Sequence, residues 1–365
     1  MQEEHRLDMR QGRRWRGGRP AKRGVATLAA LAVGGLSATV PNLAPAASAA
    51  PKAHSSAPVT VLFGAPIINA QDLPLWVADS EGFAAKNHVN LKLVSIAETL
   101  DATALNSGSV QFLQEQAGAF LKARAQNLPQ IALSVWNQGV PTGLILSNDF
   151  VKRKHITAST PLQTVVHDMI GSRGGLSATT TQGQANILLR SYGVQPSQLT
   201  EVMFSAPSAA EAALEANEVD WFVTGQPVPD KLQQEGYGLV VADRQNAKGW
   251  KTDVYSSLTV TTPSYAKSHP QLMRAVVDAI QEATTYIHDN PRKVLTIMQQ
   301  NIKGLSRPLL LRALQSAVWP TTDAMTAQGW RVTIAFNVKQ GELAHGTKVS
   351  EGVDWTNSYL PKNAK

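Results

Sequence analysis

Four hydroxyl side chains, Ser177, Thr179, Thr180 and Thr181, follow a short run from Ser172 to Leu176. They open a segment in which Ala185, Ile187, Leu188 and Leu189 recur at helical spacing. Hydroxyls beside the unpaired N–H groups of a helix start suit an oxyanion without requiring a full counter-charge. Plain capping of the helix by one of them is the alternative. Gln114-Glu115-Gln116 follows the predicted strand Val110 to Leu113, and Thr224, Gly225 and Gln226 stand at the matching place further on. Before the first helix, Asn69 and Gln71 are candidate hydrogen-bonding groups and Gly64 a point of close backbone approach, although Asn commonly serves as a turn residue. Trp76, Trp136 and Trp221 lie beside these segments, either as an apolar wall for an organic tail or as core.

This is chemistry for holding a ligand, because the signatures of covalent or metal-assisted catalysis are missing. H-E-x-x-H, G-x-S-x-G, a Walker A loop and a complete G-x-G-x-x-G do not occur, and Gly236-Tyr237-Gly238 lacks the third glycine. The eight histidines are scattered, none paired at metal-ligand spacing. No enzyme activity, cofactor or metal is expected. The chain has no cysteine, which removes disulfides, thiolate ligands, a thiol nucleophile and a lipid-modified N-terminal cysteine.

The elements that must position these residues alternate strand with helix, and ligands of such α/β sheets sit outside the C-terminal ends of the strands. Val59 to Phe63 is a strand, Asp72-Leu73-Pro74 starts a helix, and Asn90 to Val94 is the next strand. Thr99 to Asn106, Val110 to Leu113, Ala117 to Ala125 and Ile131 to Val135 continue the alternation. Pro270 to His288 reads as a long helix with Leu272, Val276, Ala279, Ile280, Ala283 and Ile287 on one face.

An internal repeat fixes the architecture further. Ala104-Leu105-Asn106-Ser107-Gly108-Ser109-Val110-Gln111-Phe112 recurs as Ala213-Leu214-Glu215-Ala216-Asn217-Glu218-Val219-Asp220-Trp221, 109 residues on. Each copy reads as helix, a turn at Gly108 or Asn217 where left-handed backbone is tolerated, then strand, with Thr99 and Ser208 as matching N-caps. Two α/β lobes follow, each a mixed sheet flanked by helices. They are expected at 58–147 with 258–365, and at 148–257, joined by hinge strands Thr142 to Ser147 and Ser257 to Thr261.

The N-terminus reads as an export signal. Arg10, Arg13, Arg14, Arg16, Arg19, Lys22 and Arg23 precede an apolar stretch, Val25 to Val40, of 16 residues, short of the roughly 20 that span a membrane. Ala47-Ser48-Ala49 then offers small residues for cleavage after Ala49, with 50–57 a flexible leader. Arg13-Arg14 raises twin-arginine export, but Trp15-Arg16-Gly17 matches that signal poorly and the route stays open. The formal charge of +7 is concentrated here: residues 1–49 carry a net +5, leaving +2 for the mature part. That is no basic footprint for nucleic acid.

Leu73 to Phe83, with Pro74, Trp76 and Gly82, is similar to a stretch written "aPlyvA-x-x-x-Gf" in the substrate-binding proteins of ABC importers for nitrate, sulfonates, taurine and thiamine-precursor pyrimidines. Ala104 to Phe112 resembles their "ALasGevDf", Asp168 to Gly171 their "DLkGkkvgv", and Tyr192 to Leu199 their "l-Gl-p-dv". The chain departs at Gln111, where Asp is frequent, and at Gln226, where Glu commonly precedes Pro227. The resemblance implies a type II periplasmic-binding fold and a monomer that delivers a small polar or anionic molecule to an ABC permease. It also implies a ligand between the lobes, touching the loop before Trp76, the Glu98-Thr99 turn, the Gln114 and Gln116 segment, Ser177 to Thr181 and Thr224 to Pro227. Related scaffolds serve a desulfinase and a fungal pyrimidine synthase, both cysteine-dependent, and a ligand-presenting sensor is a further alternative.

Overall fold

The computed structural model describes residues 57–65, 69–97 and 100–362. The proposed export signal, the leader up to residue 56, and Glu98 and Thr99 lie outside the described residues. Ten strands form two five-stranded mixed sheets. The first contains β1 (Val59–Ala65), β2 (Val89–Ser95), β3 (Phe112–Gln116), β4 (Ile131–Gln138) and β10 (Tyr255–Thr261), in the order β2-β1-β3-β10-β4. The second contains β5 (Thr142–Ser147), β6 (Arg173–Leu176), β7 (Thr200–Met203), β8 (Trp221–Gly225) and β9 (Gly238–Asp243), in the order β7-β6-β8-β5-β9.

The two orders are the same pattern written twice. In each, two parallel pairings join the first three strands, and the fourth neighbour runs antiparallel. Parallel neighbours need crossovers. α1 (Leu73–Ser80) and α2 (Phe83–Lys86) supply the crossover from β1 to β2, and α3 (Asp101–Asn106) the one from β2 to β3. α4 (Ala117–Ala125) leads from β3 to β4; α5 (Asn148–Arg153) and α6 (Leu162–Asp168) lead from β5 to β6. α7 (Thr179–Ser191) and α8 (Pro207–Glu215) then repeat the crossovers in the second sheet, and α9 (Val228–Gln234) precedes β9. Gly108 and Asn217 both take positive φ, 75° and 56°, as the repeat requires of its turn. Ser208 is not the matching N-cap, because Pro207 already occupies the first turn of α8 and Ala206 caps it.

Both strands expected as hinges are interior members of a sheet. β5 lies between β8 and β9, and β10 between β3 and β4. The chain therefore passes between sheets not within these strands but at residues 139–141 and 244–254, and Thr142 to Ser147 belongs with the second sheet. The physical reason is pairing: all six residues of β5 are buried between two antiparallel partners.

After β10 come α10 (Pro263–Ser268), α11 (Pro270–Asp289), α12 (Val294–Asn301), α13 (Arg307–Gln315) and α14 (Ala327–Gln340). α11 lays Met273, Val276, Val277, Ile280 and Ile287 into the core of the first sheet, with Leu272 only partly covered. Each such side chain contributes about 1.5–3 kcal/mol by burial. α14 is different. It packs against α4 beside the first sheet and α7 beside the second, with Val332 and Phe336 on the second core, so the C-terminal helices do not serve the first sheet alone.

Candidate functional site

β3 and β8 run two or three residues further than their apolar runs suggest. Antiparallel partners extend them: Gln114, Glu115 and Gln116 pair with Thr259, Leu258 and Ser257, while Thr224 and Gly225 pair with Gly143 and Thr142. Residues expected in loops are thus the paired ends of strands, buried at Gln114, Glu115 and Thr224 and half-buried at Gln116 and Gly225. Gln114 is 3% exposed, Thr224 and Gln226 1%.

These ends meet between the sheets. A methyl group placed on Gly225 would sit 3.8 Å from Gln71 Nε2 and 3.9 Å from Asn69 Nδ2, so β8 closes against the loop after β1. Gln71 Oε1 accepts from Gln116 Nε2 at 2.6 Å and Ser257 Oγ at 2.7 Å. Asn69 is held by a reciprocal cap: its Oδ1 accepts from the N–H of Gln71, and its own N–H donates to Asp72 at 2.8 Å. Burial pushes the Asp72 carboxyl up to about 7, and the Asn69 N–H opposes that rise. Thr142 Oγ1 donates to Gln184 Oε1 at 2.5 Å. Both amide atoms of Gln226, and Gln114 Nε2, are buried and find no partner among the described residues. Such atoms are costly unless something bonds them.

The hydroxyl cluster borders the same cleft, and none of its side chains caps α7. The N-cap is Ala178, which has no side chain to cap with. Thr179 Oγ1 instead accepts from Lys122 Nζ of α4 at 2.8 Å, Thr181 Oγ1 turns back to the carbonyl of Ala178, and the buried Ser177 Oγ has no partner among the described residues. Thr180 lines a cavity of about 30 Å³ together with Gln116, Gly118, Gln184, Ser256 and Glu342. That space suits about one water molecule.

Other candidates fall elsewhere. Gly64 does not open toward a ligand, because a methyl group there would meet Ile96 Cδ1 at 2.7 Å and Leu113 Cδ2 at 3.0 Å. Trp136 is fully buried and donates to Thr259 Oγ1; Trp221 is fully buried and donates to Ser172 Oγ; Trp76 packs on the core of the first sheet. The three tryptophans form no apolar wall, which follows from their strand and helix faces pointing at the cores. Ser256, Ser257, Thr142, Gln184, Lys122 and Glu342 were missed. β10 and β5 read only as hinges, and the far end of α14 gave no sign of reaching the cleft.

Arg312 of α13 reaches the second sheet's elements. It donates to Asp243 at 2.6 Å and stands 3.4 Å from Asp230, whose carboxyl burial nonetheless holds above its ordinary range. Gln234 Nε2 also donates to the carbonyl of Gly304 at 2.9 Å. Among the described residues no group of three or more His, Asp or Glu could hold a metal ion. The arrangement can hydrogen-bond a small polar solute from both sheets at once.

Two like sheets meeting at the C-terminal ends of their strands define a periplasmic-binding-protein fold. The NMT1/THI5-like family model matches residues 69–294, more than half of the chain, and the protein belongs to that family. Among solved structures, the alkanesulfonate-binding protein SsuA of Xanthomonas axonopodis pv. citri, bound to MOPS, is similar with a TM-score of 0.61 and 17% identity; the match covers 80% of this chain and 96% of SsuA. The periplasmic nitrate-binding protein NrtA of Synechocystis PCC 6803 matches with a TM-score of 0.60 and 17% identity, over 80% of this chain and 84% of NrtA. A mutant of DszB in complex with biphenyl-2-sulfinic acid matches with a TM-score of 0.51 and 15% identity, over 78% of this chain and 93% of that one. No curated protein matches by sequence.

Proposed function

We propose that this protein is the extracytoplasmic solute-binding component of an ABC importer. It captures a small polar or anionic organic molecule, of the sulfonate, taurine-like, nitrate-like or pyrimidine kind, and presents it as a monomer to a membrane permease. The observation that carries this reading is the set of amides and hydroxyls supplied by both sheets where they meet: Gln71, Gln114, Thr142, Thr224 and Gln226, all buried, with the half-buried Asn69 and Gln116 beside them. The names of SsuA and NrtA support the solute class. Among the described residues no helix is long and apolar enough to cross a membrane, which accords with export behind the N-terminal signal.

Residues 139–141 and 244–254 serve as the hinges, so the two sheets part to admit the ligand and close over it. A thermal-shift screen of alkanesulfonates, taurine, nitrate, carboxylates and pyrimidines tests the reading, since a solute that binds the native state alone raises its stability. At least one class should give a saturable rise, with a smaller radius of gyration by X-ray scattering when bound. A full panel without a response would remove the solute-binding reading.

A second reading, an enzyme on the same scaffold, draws on the likeness to DszB. The absence of cysteine in this chain weighs against a thiol-dependent reaction. Product formation from aryl sulfinates would establish it.

A further inference from the structure

The cleft already holds an anion, and it belongs to the protein. α14 ends in a tight C-terminal motif: Gly341 takes φ 86°, its N–H donates to the carbonyl of Val338, and the N–H of Glu342 donates to that of Asn337. The residue at Glu342's place in such a motif is usually apolar and packs back on the helix. Here it is a carboxylate, and the reversal of the chain turns it inward, where the side chain is only 7% exposed.

Its surroundings are built for it. Lys122 Nζ stands 3.4 Å from Glu342 Oε2 and also donates to Thr179 of α7. On one side lies Gly118, the second residue of α4; a Cβ there would come within 3.2 Å of Oε2 and 2.7 Å of Asn337 Oδ1. On the other lies Gly183 of α7, where a Cβ would come within 2.2 Å of Oε1 and 2.7 Å of Gln340 Oε1. A Cβ at Gly183 would force the carboxylate to move, and one at Gly118 would press first on Asn337 and crowd the carboxylate by a few tenths of an ångström. Arg190 of α7 fixes the end of α14 by donating to the carbonyls of Lys339 and Gln340, at 3.2 and 3.3 Å. A cation, the first turn of α4 and two bare glycines from opposite sides of the cleft therefore converge on one carboxylate, and what is left beside it has room for about one water.

We propose that the seat formed by Lys122, Gly118 and Gly183 is the anion subsite of the cleft, and that Glu342 is a tethered competitor which the acidic group of a sulfonate or carboxylate ligand must displace. The proposal rests on the solute-binding reading for its ligand, but not for its first test. The carboxylate is at high effective concentration because it is part of the same chain. It lowers affinity for anions and sets a threshold that weakly acidic or poorly shaped solutes fail to pass. Neutral solutes, which do not compete for Lys122, escape the penalty.

Glu342→Ala vacates the seat. Acetate and methanesulfonate should then stabilise the variant saturably in thermal unfolding, with a half-saturating concentration at least tenfold below that of the parent protein, while chloride at equal ionic strength does not. Adding Lys122→Met should abolish the response. Should Glu342→Ala fail to fold, Glu342→Gln, which keeps the shape and removes the charge, should still bind methanesulfonate at least tenfold more tightly than the parent by calorimetry. An unchanged response in the vacated protein, or one that survives Lys122→Met, overturns the proposal. If solutes from the screen bind the parent and Glu342→Ala equally, the solute-binding reading stands and the tethered competitor falls. If acetate fills the vacated seat but no solute binds any variant, the subsite stands and the solute-binding reading falls.

Discussion

In the first sheet Phe63 and Phe112 stand opposite each other in register and stack, with ring centroids 5.0 Å apart. At the equivalent place in the second sheet Gly174 faces Trp221, and a Cβ on that glycine would lie 2.0 Å from the indole. The two halves thus fill one topological position by opposite means, two middle-sized rings against one large ring and no side chain. Close packing constrains the combined volume and leaves its division open. The halves also differ in the segments that follow β1 and β6. The loop after β1 is braced by Asn69 and Asp72, whereas the start of α7 has no side-chain cap: Thr179 accepts from Lys122 and Thr181 turns back to the carbonyl of Ala178.

The largest effects should come from breaking the packing contrast. Phe112→Ala leaves Phe63 without its partner and should cost about 3–5 kcal/mol in urea unfolding. Gly174→Ala drives a methyl into a buried indole and should cost about 3 kcal/mol, the upper end of overpacking penalties. If Gly174→Ala proves neutral, the second sheet is looser than its geometry implies and the contrast dissolves.

The contrast between the two loops is sharpened by charge. Thr180→Asp should leave the fold intact, since acidic residues are favoured in a first helical turn, yet abolish binding of an anionic ligand in calorimetry. Thr180→Ala should weaken it by about 1–2 kcal/mol, one hydrogen bond's worth. A folded Thr180→Asp protein with undiminished affinity would place the anion elsewhere.

A last effect depends on pH. Burial raises Asp72 from about 3.8 to about 7 in the folded protein, so the native state holds an extra proton between those values. Its contribution to stability is full below about pH 4 and is lost as pH rises through about 7. Asp72→Asn keeps an acceptor for the Asn69 N–H without the titration. It should match the parent below about pH 4 and exceed it by roughly 4 kcal/mol near pH 8, read as a flatter dependence of the urea midpoint. The second sheet's loop carries no such group, so changes at Ser177 should leave that profile alone.

The repeat and the α/β alternation were legible because they are written locally: Ala104 to Phe112 and Ala213 to Trp221 each hold a helix, a left-handed turn and a strand within one stretch of chain. α4 falls where its composition places it, at Ala117–Ala125. The strand ends were not legible, since Gln114 to Gln116 become strand only through β10, which is encoded far downstream. The tryptophans misled for a related reason. Position beside a loop says nothing about which face of Trp136 or Trp221 turns to the core. Glu342 touches α4 and α7 across more than half the mature chain, and the one local hint was a charge just past the helix-ending Gly341.

The place of β10 has a consequence for the order in which the chain can be built. The second sheet is drawn from one continuous stretch, Thr142 to Asp243, and can close once that stretch has emerged. The first cannot, because β10 fits between β3 and β4 and begins only at Tyr255, long after β4 has ended at Gln138. Until then β3 and β4 hold open edges with their backbone N–H and C=O groups unpaired, a condition that invites wrong partners. Long-range closure of this kind is slow. A nascent chain therefore remains unfinished in its N-terminal half while its middle is already folded.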